Sequence, residues 1–272
     1  MRIAWITDPH LNHCSLASWE HLIRQLNHCQ CDSIVITGDI SEGDDVVFQL
    51  LRLADAVAVP IHFVLGNHDF YQRAIDRTRA EVGEAVSRHA RLHYLRNEPL
   101  MELSPTVALI GEDGWGDATE GDYDRSTVLL NDFRLIEDFR FRHRSQWRSL
   151  LELLGRDAAL RLQHKLEHAC AQYASVLVAT HVPPFRESCW YEGRTTDDHW
   201  APFFVCGQVG KVLLDIATRN PLTKIEVICG HTHHGGVAVL APNLTVTTAG
   251  AVYGRPEISR VIEVESEIGF LR

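Results

Sequence analysis

The sequence lacks a surplus of cations. Lys and Arg total 26 against 36 Asp and Glu, for a net charge of -10. Wrapping nucleic acid rests on neutralising phosphates, so that class of function is disfavoured. No uninterrupted apolar run approaches the roughly 18 residues that span a bilayer, and no membrane association is expected. The opening stretch MRIAWITDPH carries only a short apolar run before an Asp, so no signal peptide is expected there. Seven cysteines (Cys14, Cys29, Cys31, Cys170, Cys189, Cys206 and Cys229) include no C-x-x-C pair. An odd set without paired spacing reads as reduced thiols, and the expected compartment is the cytoplasm. No G-x-S-x-G elbow occurs, so serine-hydrolase chemistry has no anchor. The segment GQVGK at 207–211 lacks the spacing and hydroxyl of a phosphate-binding loop. Repeats, low-complexity tracts and linkers are missing too. With 272 residues and 45% hydrophobic content, one domain over 1–272 is expected.

Histidine, by contrast, is abundant, with 16 copies. Neutral imidazole is the commonest side-chain metal ligand, so their placement matters. Apolar, β-branched runs alternate with helical-period stretches. Strands are expected at Ile3–Ile6, Ser33–Thr37 and Ile61–Leu65, with helices at Ser18–His28 and Asp44–Ala58 between them. This is the pattern of βαβ units. A long helix follows over Trp147–Ala169, with a kink expected at Gly155. Strands at Val176–Ala179 and Ile225–Cys229 flank a helix near Val209–Thr218. From Gly236 onward the pattern becomes short strands (Val237–Leu240, Leu244–Thr248, Ile258–Val264), read as a second sheet. The expected fold class is α/β, two mixed sheets sandwiched between helices.

Ligands in such sheets bind outside the carboxyl ends of the strands. The expected strands end in Thr7-Asp8-Pro9-His10, Gly38-Asp39, Gly66-Asn67-His68-Asp69, Thr180-His181-Val182 and Gly230-His231-Thr232-His233. Asp8 and Asp39 are 31 residues apart and Asp39 and Asn67 are 28 apart, each about one βαβ unit. Seven metal-ligand candidates emerge: Asp8, His10, Asp39, Asn67, His181, His231 and His233. Seven ligands exceed one ion's needs and suit two ions sharing a carboxylate. Mixed oxygen and nitrogen donors without thiolate favour Mn, Fe or Zn over Ca or Mg. Two ions roughly 3.5–4 Å apart lower the pKa of shared water and hold phosphoryl oxygens, which suits hydrolysis of an anionic phosphoester.

In this order the blocks DPH, GD, GNHD, THVPP and GHTH resemble the five signature blocks of the calcineurin-like metallophosphoesterase superfamily. HVPPF and GNHDF are most similar to its bacterial cyclic-nucleotide phosphodiesterase-like members. The resemblance implies a four-layer sandwich of two mixed sheets flanked by helices. It implies that Asp8, His10 and His233 bind one metal, that Asn67, His181 and His231 bind a second, and that Asp39 bridges them. Mn and Fe are the metals favoured, with Zn as an option. His68 would contact the phosphate alongside Asn67 and act as general acid, with Asp69 orienting its ring. The activity implied is phosphatase or phosphodiesterase hydrolysis of a small phosphorylated substrate by a metal-bridging hydroxide. The alternatives are a nuclease for single-stranded nucleic acid and a non-catalytic interaction scaffold.

Between the third and fourth blocks lies an expected insertion of loop and helix, about 111–172. Within it, Arg134–Lys165 holds eight Lys and Arg against four Asp and Glu. A solvated helix face is the expectation, and the nuclease alternative would need Arg134, Arg140 or Arg142 at the metals. Trp115, Tyr123, Trp190 and Tyr191 are read either as base-stacking or lid aromatics or as cover for the insertion's own core. His234 is read as a neighbour of the ligands and not one of them.

Overall fold

The computed structural model describes residues 1–265 and 269–270; positions 266–268 and 271–272 of the expected 1–272 domain lie outside them. The chain begins with β1 (Arg2–Ile6), α1 (Leu16–His28), β2 (Ser33–Thr37), α2 (Asp45–Ala56) and β3 (Ile61–Val64). Next come α3 (Ile75–Ser87), β4 (Leu92–Tyr94), β5 (Met101–Ser104) and β6 (Val107–Glu112). After α4 (Asp132–Leu135) and α5 (Arg144–Cys170), β7 (Ser175–Thr180) leads to a small hairpin of β8 (Trp190–Tyr191) and β9 (Arg194–Thr195). The remainder is α6 (Ala201–Phe204), α7 (Gly207–Arg219), β10 (Lys224–Cys229), β11 (Gly236–Ala241), β12 (Leu244–Thr248), β13 (Arg260–Glu265) and β14 (Gly269–Phe270).

Two six-stranded mixed sheets result, ordered β14-β13-β1-β2-β3-β4 and β11-β12-β10-β7-β6-β5. Of the C-terminal strands expected in a second sheet, β11 and β12 lie there, and the placement of β13 is corrected. β12 runs parallel to β10 and extends the second sheet, whereas β13 crosses to pair antiparallel with β1. Local patterning marks those segments as strands, but pairing partners far away in sequence decide which sheet each joins.

Strand alternation builds the layers. Along β1, Ile3 and Trp5 enter a core between the two sheets, with Val35, Val64, Leu109 and Leu177. Ala4 and Ile6 face the other way, against Trp19 and Leu22 of α1 and Val46 and Leu50 of α2. Side chains at successive strand positions point to opposite faces, so strands buried on both sides read as continuous apolar runs. Helix α1 starts two residues earlier than expected because the Ser15 side chain accepts from Ser18 N at 3.1 Å and caps it. Trp19, Leu22 and Leu26 form its buried stripe. On the outer face of the second sheet, Ala158, Leu162 and Leu166 of α5 pack with Leu213 of α7 and Val176 and Val178 of β7.

The expected insertion is smaller than its sequence bounds. Gly111 and Glu112 belong to β6, paired with Ala179 and Thr180 of β7. The far half of α5 is a layer of the sandwich itself. No break occurs in α5 at Gly155; the space left by its missing side chain is filled by Asp117, which a Cβ there would strike.

Candidate metal centre

The parallel strands β1, β2 and β3 deliver their loops to one edge, and β7 and β10 bring theirs from the second sheet. Backbone hydrogen bonds lace the first two loops, from Asp8 N to Gly38 O at 3.2 Å and from His10 N to Asp39 O at 3.0 Å. Among the described residues, ten non-glycine positions have positive φ. Five of the ten are Asp8, His10, Asp39, His231 and His233. A residue with a Cβ is held there at a cost of about 1–3 kcal/mol, tolerated only where the surroundings over-determine it. Half of the described non-glycine residues with left-handed backbone thus lie at one spot.

Two glycines are dictated by closeness. Gly38 has φ 88°, and a Cβ on it would meet His181 Nδ1 at 2.5 Å. At Gly230 a Cβ would fall on Thr7 Oγ1 and Asp8 Oδ2.

The side chains then gather on either side of Asp39. Toward Oδ2, His10 Nε2 lies at 3.7 Å and is 3.1 Å from His233 Nε2, which is 3.6 Å from Asp8 Oδ1. Asp8, His10, Asp39 and His233 each offer one ligand atom, all within 4.8 Å of one another. Toward Oδ1, His181 Nε2 lies at 3.4 Å, and it is 3.1 Å from Asn67 Oδ1 and 3.2 Å from His231 Nδ1. His181 Nδ1 donates to Thr37 O at 2.8 Å, which leaves a lone pair on Nε2 facing the amide and carboxylate oxygens. Lone pairs converge here with too few protons between them. The donor set therefore fits cations.

Burial dominates the electrostatics. It pushes the Asp8 carboxyl up to about 6, aided by Asp39, and raises Asp39 well above the carboxylate range. It also lowers His10 to about 2 and His233 to about 4, helped by the neighbouring histidines. The imidazoles are thus neutral and ready to ligate at pH 7. A cavity of about 260 Å³ opens over the cluster, walled by His68, Tyr71, Asp132, Phe204 and Tyr253 among others. Among the described residues, no Lys or Arg lines it.

The calcineurin-like phosphoesterase family model matches residues 1–235. The chain belongs to that family. Three of the solved structures similar to it share the chain's fold. Phosphopantetheinyl hydrolase from Mycobacterium tuberculosis has a TM-score of 0.67 at 15% identity, over 93% of this chain and 90% of that one. A dimetal phosphatase from Danio rerio has a TM-score of 0.59 at 16% identity, covering 93% and 88%. GAP50, the anchor in the inner membrane complex of Plasmodium, has a TM-score of 0.50 at 15% identity, covering 99% and 79%. No curated protein matches the chain in sequence.

All seven ligand candidates come together in this chain, and His68 sits at the cavity wall. Asp69 does not orient the His68 ring as expected. It is fully buried, and its two oxygens accept from Ser41 N at 2.9 Å and Gly66 N at 2.8 Å. Those backbone amides use the carboxylate to shape the loop, and Glu42 faces the ring in its place, Oε1 lying 3.8 Å from His68 Nδ1. Sequence reading also missed several cavity residues, Tyr253, Phe204 and Asp132 among them. Tyr253 stacks on His10 with ring centroids 4.3 Å apart. Phe204 lies 4.5 Å from the His231 ring. Asp132 accepts from Asn67 and Tyr71. Only Asp132 left a signal, an acidic residue inside the stretch marked as an insertion.

Arg134 and Arg140, two basic residues of the insertion, bond within their own loop, and Arg140 also reaches Gln72 Oε1. Arg134 donates to Asn131 Oδ1 at 2.7 Å, and Arg140 to the Arg134 and Leu135 carbonyls. Trp115 and Tyr123 are buried core residues, whereas Tyr191 is exposed and packs against His234.

Proposed function

We propose that this chain hydrolyses a small phosphoester at a centre of two metal ions. In this reading Asp8, His10 and His233 hold one ion, Asn67, His181 and His231 hold the other, and Asp39 gives one oxygen to each. The observation that carries it is the division of Asp39, with His10 nearest Oδ2 and His181 nearest Oδ1. Mn and Fe suit the nitrogen and oxygen donors, and Zn fits as well. Bound there, the ions supply Lewis acidity toward phosphoryl oxygens and a lowered pKa for water between them.

The protein's own groups do the rest. Asn67 and His68 border the cavity and contact the phosphate. His68 turns Nε2 toward Asp39 Oδ2, 4.0 Å away, and Nδ1 toward Glu42. Burial holds its pKa below the ordinary histidine value, with Asp132 and Glu42 acting in the opposite direction. We assign His68 the proton given to the leaving oxygen. A cavity without Lys or Arg among the described residues supports a small substrate over a nucleic-acid strand, whose repeated phosphates call for a cationic track. Seven free cysteines support a cytoplasmic setting. No described helix is long and apolar enough to cross a membrane.

The test strips the protein with chelator, reloads it with Mn or Fe, and assays nitrophenyl monoesters and diesters. A panel of phosphorylated metabolites and cyclic nucleotides then identifies the substrate. Metal-dependent hydrolysis abolished by chelator is expected. Fully metal-loaded protein inert on every compound would overturn the proposal and favour the scaffold alternative.

A further inference from the structure

The insertion carries a carboxylate that reaches the metal centre without joining it. Asp132 opens α4, is 5% exposed, and points Oδ1 at two donors. Asn67 Nδ2 donates to it at 3.0 Å and the Tyr71 hydroxyl at 2.9 Å. A carboxylate only accepts and an amide nitrogen only donates. The contact therefore fixes which way the Asn67 carboxamide faces. Its Oδ1 is turned to the opposite side, where it lies 3.1 Å from His181 Nε2 and among the ligand atoms around Asp39 Oδ1.

Flipping the amide would set two oxygens against each other at Asp132 and present an NH2 group to the ligand cluster. An NH2 group repels a cation and offers it no lone pair. We propose that Asp132 is a positioning residue that holds the Asn67 carbonyl oxygen toward the second ion. This rests on the two-metal reading above, and it gives the insertion a task there.

The scaffold behind Asp132 is suited to that task. Phe133 beside it stacks on Trp147 at 4.3 Å and packs edge-on to Phe139 at 5.5 Å. Backbone bonds from Gln72 N to Leu135 O at 2.7 Å and from Glu137 N to Arg73 O at 3.0 Å tie this segment to the loop that follows Asn67. Outer partners of metal ligands that orient them in this way typically control affinity 10–100-fold.

Calorimetric Mn titration of chelator-stripped protein tests the inference, with a thermal melt to confirm folding. Wild type is expected to bind two ions per chain. Asp132→Ala should weaken one binding event by about 10–100-fold and leave the other unchanged. Asp132→Asn keeps an acceptor oxygen and should stay within a few-fold of wild type, a rescue not open to a residue that supplies charge or a proton. On an Asn67→Ala background, Asp132→Ala should add nothing, because its only route of action is gone. If Asp132→Ala does not fold, Asp132→Leu, close in shape and without an acceptor, gives the same reading. Two wild-type affinities in the folded Ala or Leu variant would overturn the inference, as would equal losses in Ala and Asn or additive losses with Asn67→Ala. Failure of the wild type itself to bind two ions would overturn the two-metal reading instead.

Discussion

The Nδ1 of His68 lies 3.8 Å from Oε1 of Glu42. Glu42 follows Asp39 by three residues, so one loop supplies both the carboxylate proposed to be shared and the carboxylate behind the proposed proton donor. Replacing His68 with Ala should lower kcat by about 10²–10⁴ and leave metal content unchanged. Glu42→Gln should lower kcat by less, again with both metals retained. Steady-state kinetics with elemental analysis checks both; undiminished turnover in His68→Ala would remove that residue from the mechanism.

Asp39→Asn should cost the protein both ions, because each Asp39 oxygen faces a different half of the cluster. Elemental analysis after dialysis is expected to show less than one ion per chain, and hydrolysis should be at background.

Gly230→Ala puts a Cβ against Thr7 Oγ1 and Asp8 Oδ2. One of the two side chains must move. A destabilisation of about 1–3 kcal/mol is expected, with weaker Mn binding. A chemical-denaturation midpoint equal to wild type would contradict it.

Chelation should lower the melting temperature, and more at pH 7.5 than at pH 5. Without cations, burial raises Asp8 from 3.8 to about 6. A carboxyl raised on folding contributes most below its unfolded value, and that contribution is lost as pH climbs from 3.8 toward 6. Above this window the stripped protein carries the full cost of the buried charge, and bound cations offset it. Melting curves with and without chelator at the two pH values measure the difference.

His62, distant in role from the metals, should set part of the acid sensitivity. It is buried in β3 against His93, and burial lowers its pKa from 6.5 to about 4. Its folded form resists protonation, so stability is full above 6.5 and falls as pH drops from 6.5 toward 4. Complete passage through that window costs on the order of 3 kcal/mol. His62→Gln in metal-loaded protein should flatten the corresponding slope of melting temperature against pH.

Legibility in the sequence followed the range of the interactions. β1, β2, β3, β7 and β10 were readable because each is a short β-branched run closed by a polar loop, and the same loops carry Asp8, Asp39, Asn67, His181 and His231. The places of β11, β12 and β13 were not readable. Val246 and Val261 look alike in a strand pattern, yet one lines up with Val227 of β10 and the other with Ala4 of β1. The same holds within the site. Asp69 sits beside His68 in sequence, which made it the expected orienting group, but the short helical turn at His68–Phe70 sends it to the Ser41 and Gly66 amides. Asp132 and Tyr253 reach the cavity only through tertiary packing, and nothing in their neighbours announces it.

The seam between β1 and β13 joins Arg2 to Glu263 and Ile3 to Ile262. During synthesis, Trp5 must wait beside an open edge until the residues of β13 have emerged, and Tyr253 arrives over His10 only shortly before that edge closes. A chain cut ahead of Tyr253 would leave β1 without this neighbour and the His10 ring without its cover.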